Sequence, residues 1–340
     1  MKKILKLTGK ILLGILVGLI VFIISLYFIT SGDYSVPETV AEDNTIPHIK
    51  INNVVFHSET FGNDTNETVI VIHGGPGNDY RYLLPLKKLS KNYFVVFYDQ
   101  RGSGLSPRVD KEEHSLENSL KDLESIIEYY SPVKKVNIIG HSWGAMLASG
   151  YIAQNPERVK KAVLAEPGML TSKKAAEYMQ KFKVDLNWNV IKAITRTVFE
   201  SLHIKNADKQ ARIDYIFGKI GTINIEGNPM RKYFCDERID NAYMPFWRFS
   251  GVASQAIIKK GMDKNGNIQI DLVSGLENYT NKVLFITGAC NKIIGKEYQE
   301  DHMKHFNNAE MIVIKGAGHT MFGEKTEESL DIINKYFEES

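Results

Sequence analysis

The chain has 340 residues, 43% of them hydrophobic, enough to bury a sizeable core and to exclude a disordered protein. Its net charge of +2 belongs to the leader: all four charged residues before position 31 are lysines (Lys2, Lys3, Lys6, Lys10), so the remainder carries −2. That remainder has no basic stripe with interleaved aromatics, which excludes nucleic acid as a partner. Only two cysteines occur, Cys235 and Cys290, outside any C-x-x-C or Cys/His spacing, so zinc and redox motifs drop out. Whether the two are bridged depends on a Cα separation that sequence does not give.

In chain order, residues 11–30 form an uncharged run rich in Ile, Leu, Val and Phe. At about 1.5 Å per residue it is long enough to cross a hydrocarbon core of about 30 Å. A cleaved signal peptide is the rival, but this run is longer than a usual secretory apolar region and ends Tyr-Phe-Ile-Thr-Ser-Gly without a small-x-small site. Lysines precede it and Asp33, Glu38, Glu42 and Asp43 follow, a bias that keeps the N-terminus cytoplasmic and puts the rest outside. Residues 1–30 therefore read as lysines and a transmembrane anchor. Residues 31–47, polar with Pro37 and Pro47, read as a linker, with folded structure beginning near His48.

Beyond it, 48–59 reads as an edge hairpin turning at Asn52-Asn53. β-branched or aromatic runs at 68–72, 93–98, 136–139, 161–164, 283–287 and 311–314 read as strands. Apolar spacings of three and four at 115–130 and 329–337 read as helices. Near-continuous apolar strands alternating with helices predict a mainly parallel sheet covered on both faces, in an α/β core of residues 48–170 and 280–340. Residues 171–279 break the alternation: helix-like and aromatic-rich, they read as an inserted helical cap.

Gly140-His141-Ser142-Trp143-Gly144 lies between a predicted strand and a predicted helix. A sharp turn of this kind needs small neighbours to hold an exposed, strained nucleophile, which makes Ser142 the nucleophile and His141 a structural neighbour. His73-Gly74-Gly75-Pro76-Gly77 follows another strand. Its glycines allow close backbone approach, so an oxyanion hole is read from the N–H groups of Gly75 and Trp143. Gly316-Ala317-Gly318-His319 follows the last strand and makes His319 the general base. This chemistry calls for no metal or cofactor.

HGGPG at 73–77, DQRGSG at 99–104, the Ser142 elbow and the Gly318-His319 pair, in that order, resemble the proline iminopeptidase group of the α/β-hydrolase fold. The resemblance covers about 51–154 and 282–337. It implies release of an N-terminal residue from small peptides or amides, with Asp99 and Arg101 in a structural turn. One departure concerns the acid: after strand 283–287 the chain reads Gly288-Ala289-Cys290-Asn291, with asparagine where the family has aspartate. Glu166, just after strand 161–164, keeps the order Ser, acid, His; Asn291 as the orienting residue, and Glu297, Glu300 or Asp301, are the other readings. For a peptide substrate, a cap carboxylate should pin the ammonium, and Asp236, Glu237 and Asp240 are the candidates, with a solvated surface cluster as the favoured competing reading. Two further readings stay open: an esterase or lipase acting on acyl esters, and a catalytically inactive hydrolase fold used for binding or sensing, the latter motivated by Asn291.

Overall fold

The computed structural model describes residues 2–205 and 208–339. Its first element is helix α1 (Lys2–Ile29). The stretch Lys6–Ile29 is long and apolar enough to cross a membrane, and none of it is buried.

Residues 31–47 correct the expectation that folded structure begins near His48. Thr39 and Val40 are buried, the Val40 N–H donates to the Leu105 carbonyl (2.9 Å), and the Pro37 carbonyl accepts from Arg248 Nη1 (3.0 Å). Single residues landing in pockets leave no periodic trace in a sequence.

The body is an eight-stranded sheet of β1 (His48–Ile51), β2 (Val54–Phe61), β3 (Thr68–Ile72), β4 (Phe94–Tyr98), β5 (Val136–His141), β6 (Val159–Ala165), β7 (Val283–Gly288) and β8 (Ala309–Ile314). Their order is β1-β2-β4-β3-β5-β6-β7-β8, antiparallel at β1-β2 and β2-β4 and parallel from β4 onward. The β1-β2 hairpin turns at Asn52 and Asn53, both at positive φ (47° and 66°), a conformation asparagine tolerates. Both sheet faces are dry because alternate side chains point to opposite sides. In β4, Phe94, Val96 and Tyr98 join one core cluster, while Val95 and Phe97 join the other.

Helices α2 (Leu116–Tyr130) and α3 (Trp143–Gln154) supply the first cluster. After β6 come α4 (Ser172–Lys181), α5 (Trp188–Ser201), α6 (Ala211–Thr222) and α7 (Gly251–Lys260), then β7, α8 (Lys296–Met303), β8, and α9 (Met321–Glu324) with α10 (Thr326–Glu338), which covers the second face. Between β3 and β4 the chain forms a 3-10 helix, Arg81–Lys91, around Pro85; its missing N–H disfavours an α-helical ladder there.

The parallel register decides where function can sit. Ile72 pairs with Gly140, Gly140 with Leu164, Ala165 with Ile286, and Gly288 with Ile314, so β3, β5, β6, β7 and β8 end side by side. Strand order reverses between β3 and β5, and the carboxyl edge at such a switch point is where open α/β sheets bind ligands.

Candidate active site

Five loops leave that edge, and each carries a residue singled out in the sequence. Ser142 stands between β5 and α3 at φ 55°, ψ −117°, a strained geometry for a non-glycine residue. The turn closes because its flanks lack side chains: a Cβ on Gly144 would lie 2.1 Å from the Ile72 carbonyl oxygen, and one on Gly140 would lie 2.6 Å from the Ala145 Cα. The Ser142 N–H donates to the Ala165 carbonyl (2.8 Å), while the residue itself stays partly accessible.

Glu166 follows β6, also at positive φ (46°), and its carboxylate is completely buried. Oε1 accepts from Thr287 Oγ1 (2.6 Å) and the Gly288 N–H (2.9 Å); Oε2 accepts from Asn291 Nδ2 (2.6 Å) and meets His319 Nδ1 at 2.5 Å. A carboxylate only accepts, so the shared proton sits on Nδ1 and His319 Nε2 keeps a free lone pair. Asn291 is held in turn by the Ile293 and Ile294 N–H groups on its Oδ1 (2.9 and 3.1 Å). Its Nδ2 lies 3.5 Å from His319 Nδ1, two donors facing one oxygen. Asn291 therefore orients Glu166, and Glu166 contacts the histidine. Glu297, Glu300 and Asp301 lie on α8; Asp301 pairs with Lys174 and Lys304, and Glu300 with Lys296, so these two carboxylates have other partners.

His141 is buried beneath His319, ring centroids 4.4 Å apart. Its Nε2 lies 2.7 Å from the His319 carbonyl and its Nδ1 2.7 Å from Tyr82 Oη, which assigns the proton to Nε2 and makes Nδ1 the acceptor from tyrosine. Burial pulls its pKa down to about 3, so it is a neutral strut for the His319 loop. Tyr82 Oη also accepts the Gly74 N–H (2.7 Å). Among the described residues neither the Gly75 N–H nor the Trp143 N–H, at the first turn of α3, has an intramolecular acceptor. Free first-turn N–H groups are where a helix offers hydrogen bonds to an anion.

The DQRGSG turn supports this edge. Asp99 Oδ2 meets His57 Nδ1 at 2.6 Å and accepts the Leu105 N–H (2.8 Å), and Arg101 forks onto Asp122 (2.8 and 2.7 Å). Gln100 Oε1 accepts from Trp143 Nε1 (2.9 Å), and Gln100 Nε2 donates to the His73 carbonyl (2.9 Å), so one side chain ties the serine turn to the glycine loop. Sequence reasoning misses Gln100 and Tyr82 as supporting residues, although the first lies inside the DQRGSG motif. It misses Tyr233 too: that ring stacks on His319 (4.5 Å) and its carbonyl accepts the His319 N–H (2.7 Å), yet the residue comes from the insertion, where no pattern marks it.

Cys235 and Cys290 are bonded, joining the segment just after Tyr233 to the residue before Asn291. Glu237 pairs with Lys292 (2.8 Å), whereas Asp236 and Asp240 line a cavity of about 390 Å³ that reaches Glu324, whose Oε2 accepts the Gly318 N–H (2.6 Å). Ser142 is not among the walls of that cavity.

Burial pushes the Glu166 carboxyl up to about 7, against the opposing effect of the Thr287, Gly288 and Asn291 hydrogen bonds, and pulls His319 down to about 3. Above pH 7 the ionised carboxylate holds the proton on Nδ1 and leaves Nε2 basic. Below it, a protonated Glu166 donates to Nδ1 and drives the ring's proton onto Nε2. Turnover of any substrate that needs Nε2 as a base is thus expected to rise with pH through a midpoint near 7. Asn291→Ala removes a donor to the ionised form and should move that midpoint upward. A kcat/KM profile measured from about pH 5 to about pH 9 that stays flat contradicts this assignment.

A family model described as alpha/beta hydrolase fold matches residues 67–326. The chain is 40% identical over 100 residues to a proline iminopeptidase of Heyndrickxia coagulans, a match covering 29% of this chain and 34% of that one, so it spans about a third of that relative's length. Over 321 residues it is 24% identical to a proline iminopeptidase of Saccharolobus solfataricus, covering 93% of this chain and 97% of the relative. Over 302 residues it is 27% identical to epoxide hydrolase 1 of Caenorhabditis elegans, covering 85% and 69%. Among solved structures, a proline iminopeptidase-related protein of Thermus thermophilus superposes with a TM-score of 0.59 at 17% identity, covering 85% of this chain and 95% of that one, a likeness of fold.

Proposed function

The chain belongs to the α/β-hydrolase family, and we propose that it is a membrane-anchored serine hydrolase cleaving amide bonds at the N-terminus of small peptides, in the manner of a proline iminopeptidase. The observation that carries the serine-hydrolase reading is the convergence of the strained Ser142 with the buried Glu166-His319 pair at one sheet edge. Ser142 Oγ attacks the carbonyl carbon while His319 Nε2 takes the hydroxyl proton, and the Gly75 and Trp143 N–H groups hold the oxyanion. His319 then returns the proton to the leaving amine. Water, deprotonated by the same nitrogen, releases the acyl group and regenerates the serine.

The amide preference is supported by the HGGPG and DQRGSG motifs and by the proline iminopeptidases among the relatives. With Glu166 against Nδ1, Asn291 is no longer a reason to read an inactive binding module. The anchor reading is supported by α1, and the Cys235-Cys290 bridge suits a domain outside the cytoplasm, where disulfides persist.

Parallel assays of prolyl and other aminoacyl arylamides, their N-acetylated forms and short acyl esters test the substrate class. Unblocked arylamides are expected to turn over and their N-acetylated forms to be poor substrates. Ester-only turnover sinks the peptidase reading in favour of an esterase.

A further inference from the structure

Helix α5 carries an apolar face that the fold does not cover. Trp188, Ile191, Val198 and Leu202 are all exposed and follow one another at spacings of three, seven and four, so they share one side of the helix. Val190, Thr197 and Ser201 are buried on the other. Trp188 is 67% exposed, and Val184 and Leu186, just ahead of it, are exposed as well. A run of large apolar side chains of this kind marks an interaction surface.

Its place in the molecule points to the occupant. His203, one residue beyond Leu202, has its Nε2 2.9 Å from the Tyr27 carbonyl and its ring 4.4 Å from the Tyr27 ring, in the last turns of α1. Among the described side chains of α1 and the residue after it, only Leu26 and Thr30 are not exposed, so α5 meets the apolar helix at its end and does not pack along its length. At that level a bilayer gives way to headgroups. Residues 181–205 contain five Lys or Arg against two acidic residues, Asp185 and Glu200; Arg196 is paired with the buried Glu200 and Lys181 with Glu177, so the positive excess rests on Lys183, Lys192 and Lys205 against Asp185. Lys192 lies over the Trp188 ring (5.4 Å). Tryptophan sits at the polar boundary of a bilayer, and lysine stems lie along apolar surface while their ammonium groups reach anionic headgroups.

We propose that the exposed face of α5 docks on the anionic lipid surface of the membrane that α1 crosses, seating the insertion between β6 and β7 against the bilayer. This rests on the anchor reading above. A helix of 14 residues is about 21 Å long, so one end held by α1 and the other by Trp188 fix the orientation of the body as well as its distance from the lipid.

The test uses the full chain in phosphatidylcholine/phosphatidylglycerol vesicles whose acyl chains carry bromine at shallow or deep positions. Trp143 is buried and Trp247 half-buried, so a Trp188→Phe chain supplies the background emission. The expected result is loss of the Trp188 share of the fluorescence, stronger with shallow than with deep bromines, and recovery of that share in Ile191→Asp/Val198→Asp. Alkaline carbonate extraction checks the anchor separately. A chain that resists extraction but keeps Trp188 unquenched overturns the docking surface and leaves the anchor standing. A chain that is extracted yet was quenched beforehand overturns only the anchor. Unquenched Trp188 together with cross-linking between copies through this face overturns lipid docking in favour of self-association.

Discussion

Ser142→Ala is expected to abolish labelling by a fluorophosphonate probe and to lower kcat by on the order of 10⁵ to 10⁶. No other hydroxyl can substitute for it, because the strained turn at φ 55° presents this one side chain at the carboxyl edge of β5. The loss should come without a loss of fold: the Ser142 hydroxyl has no hydrogen-bond partner among the described residues, and the turn is closed by the glycine contacts and by the Ser142 backbone N–H. Thermal unfolding should therefore move little while the reaction disappears. Turnover within about tenfold of wild type excludes Ser142 as the nucleophile.

Glu166→Gln is expected to lower kcat by about 10⁴, the scale on which a triad histidine in the wrong tautomer loses its function as a base. Four donors converge on the carboxylate: the Thr287 hydroxyl, the Gly288 N–H, the Asn291 amide and the His319 ring. A carboxamide has a single acceptor oxygen. If that oxygen faces Thr287 and Gly288, the new NH₂ faces Asn291 and His319, the ring must accept at Nδ1, and its proton moves to Nε2. Asn291 lies close enough to His319 Nδ1 (3.5 Å) for the double variant Glu166→Gln/Asn291→Asp to return a carboxylate to the site. It should recover about tenfold or more of the lost kcat, since the ring regains an acceptor. A purely structural Glu166 predicts instead that the double variant is worse than the single one. Steady-state kinetics on an arylamide, with thermal unfolding of each variant alongside, distinguishes the two.

The recovery experiment also bears on why an asparagine occupies position 291. An aspartate there, with Glu166 intact, would set two carboxylates against each other in a buried site, and like charges at that range cannot both stay ionised. Asparagine supplies a donor where an aspartate would supply repulsion, so Glu166 and Asn291 make sense as a pair and neither does alone.

Much of this was present in the sequence. The strands were legible because both sheet faces are buried, which leaves continuous apolar runs, and the core follows them. Their ends were less so: the run read at 161–164 extends over Val159–Ala165, where the exposed Lys160 interrupts the apolar pattern and the half-buried Lys161 reaches the Tyr336 and Phe337 carbonyls. Ser142, His319 and the Gly75 loop were marked by small residues at fixed places after strands, a local requirement that any chain making such turns must meet.

What sequence left open was whatever depends on two distant segments meeting. Glu166, Asn291 and the remaining carboxylates were competing candidates until the register of β6, β7 and β8 brought Glu166 within 2.5 Å of His319. Tyr233 on His319, Gln100 between two loops, the bond between Cys235 and Cys290, and the packing of 31–47 are likewise contacts across long separations. The sequence by itself determined the sheet, the strained serine turn, the glycine loop and the histidine that follows the last strand, because each is imposed by backbone conformation over a few residues. Only the tertiary structure decided which carboxylate meets that histidine, because hydrogen bonds between side chains 153 positions apart are set by strand register and leave no pattern in the chain.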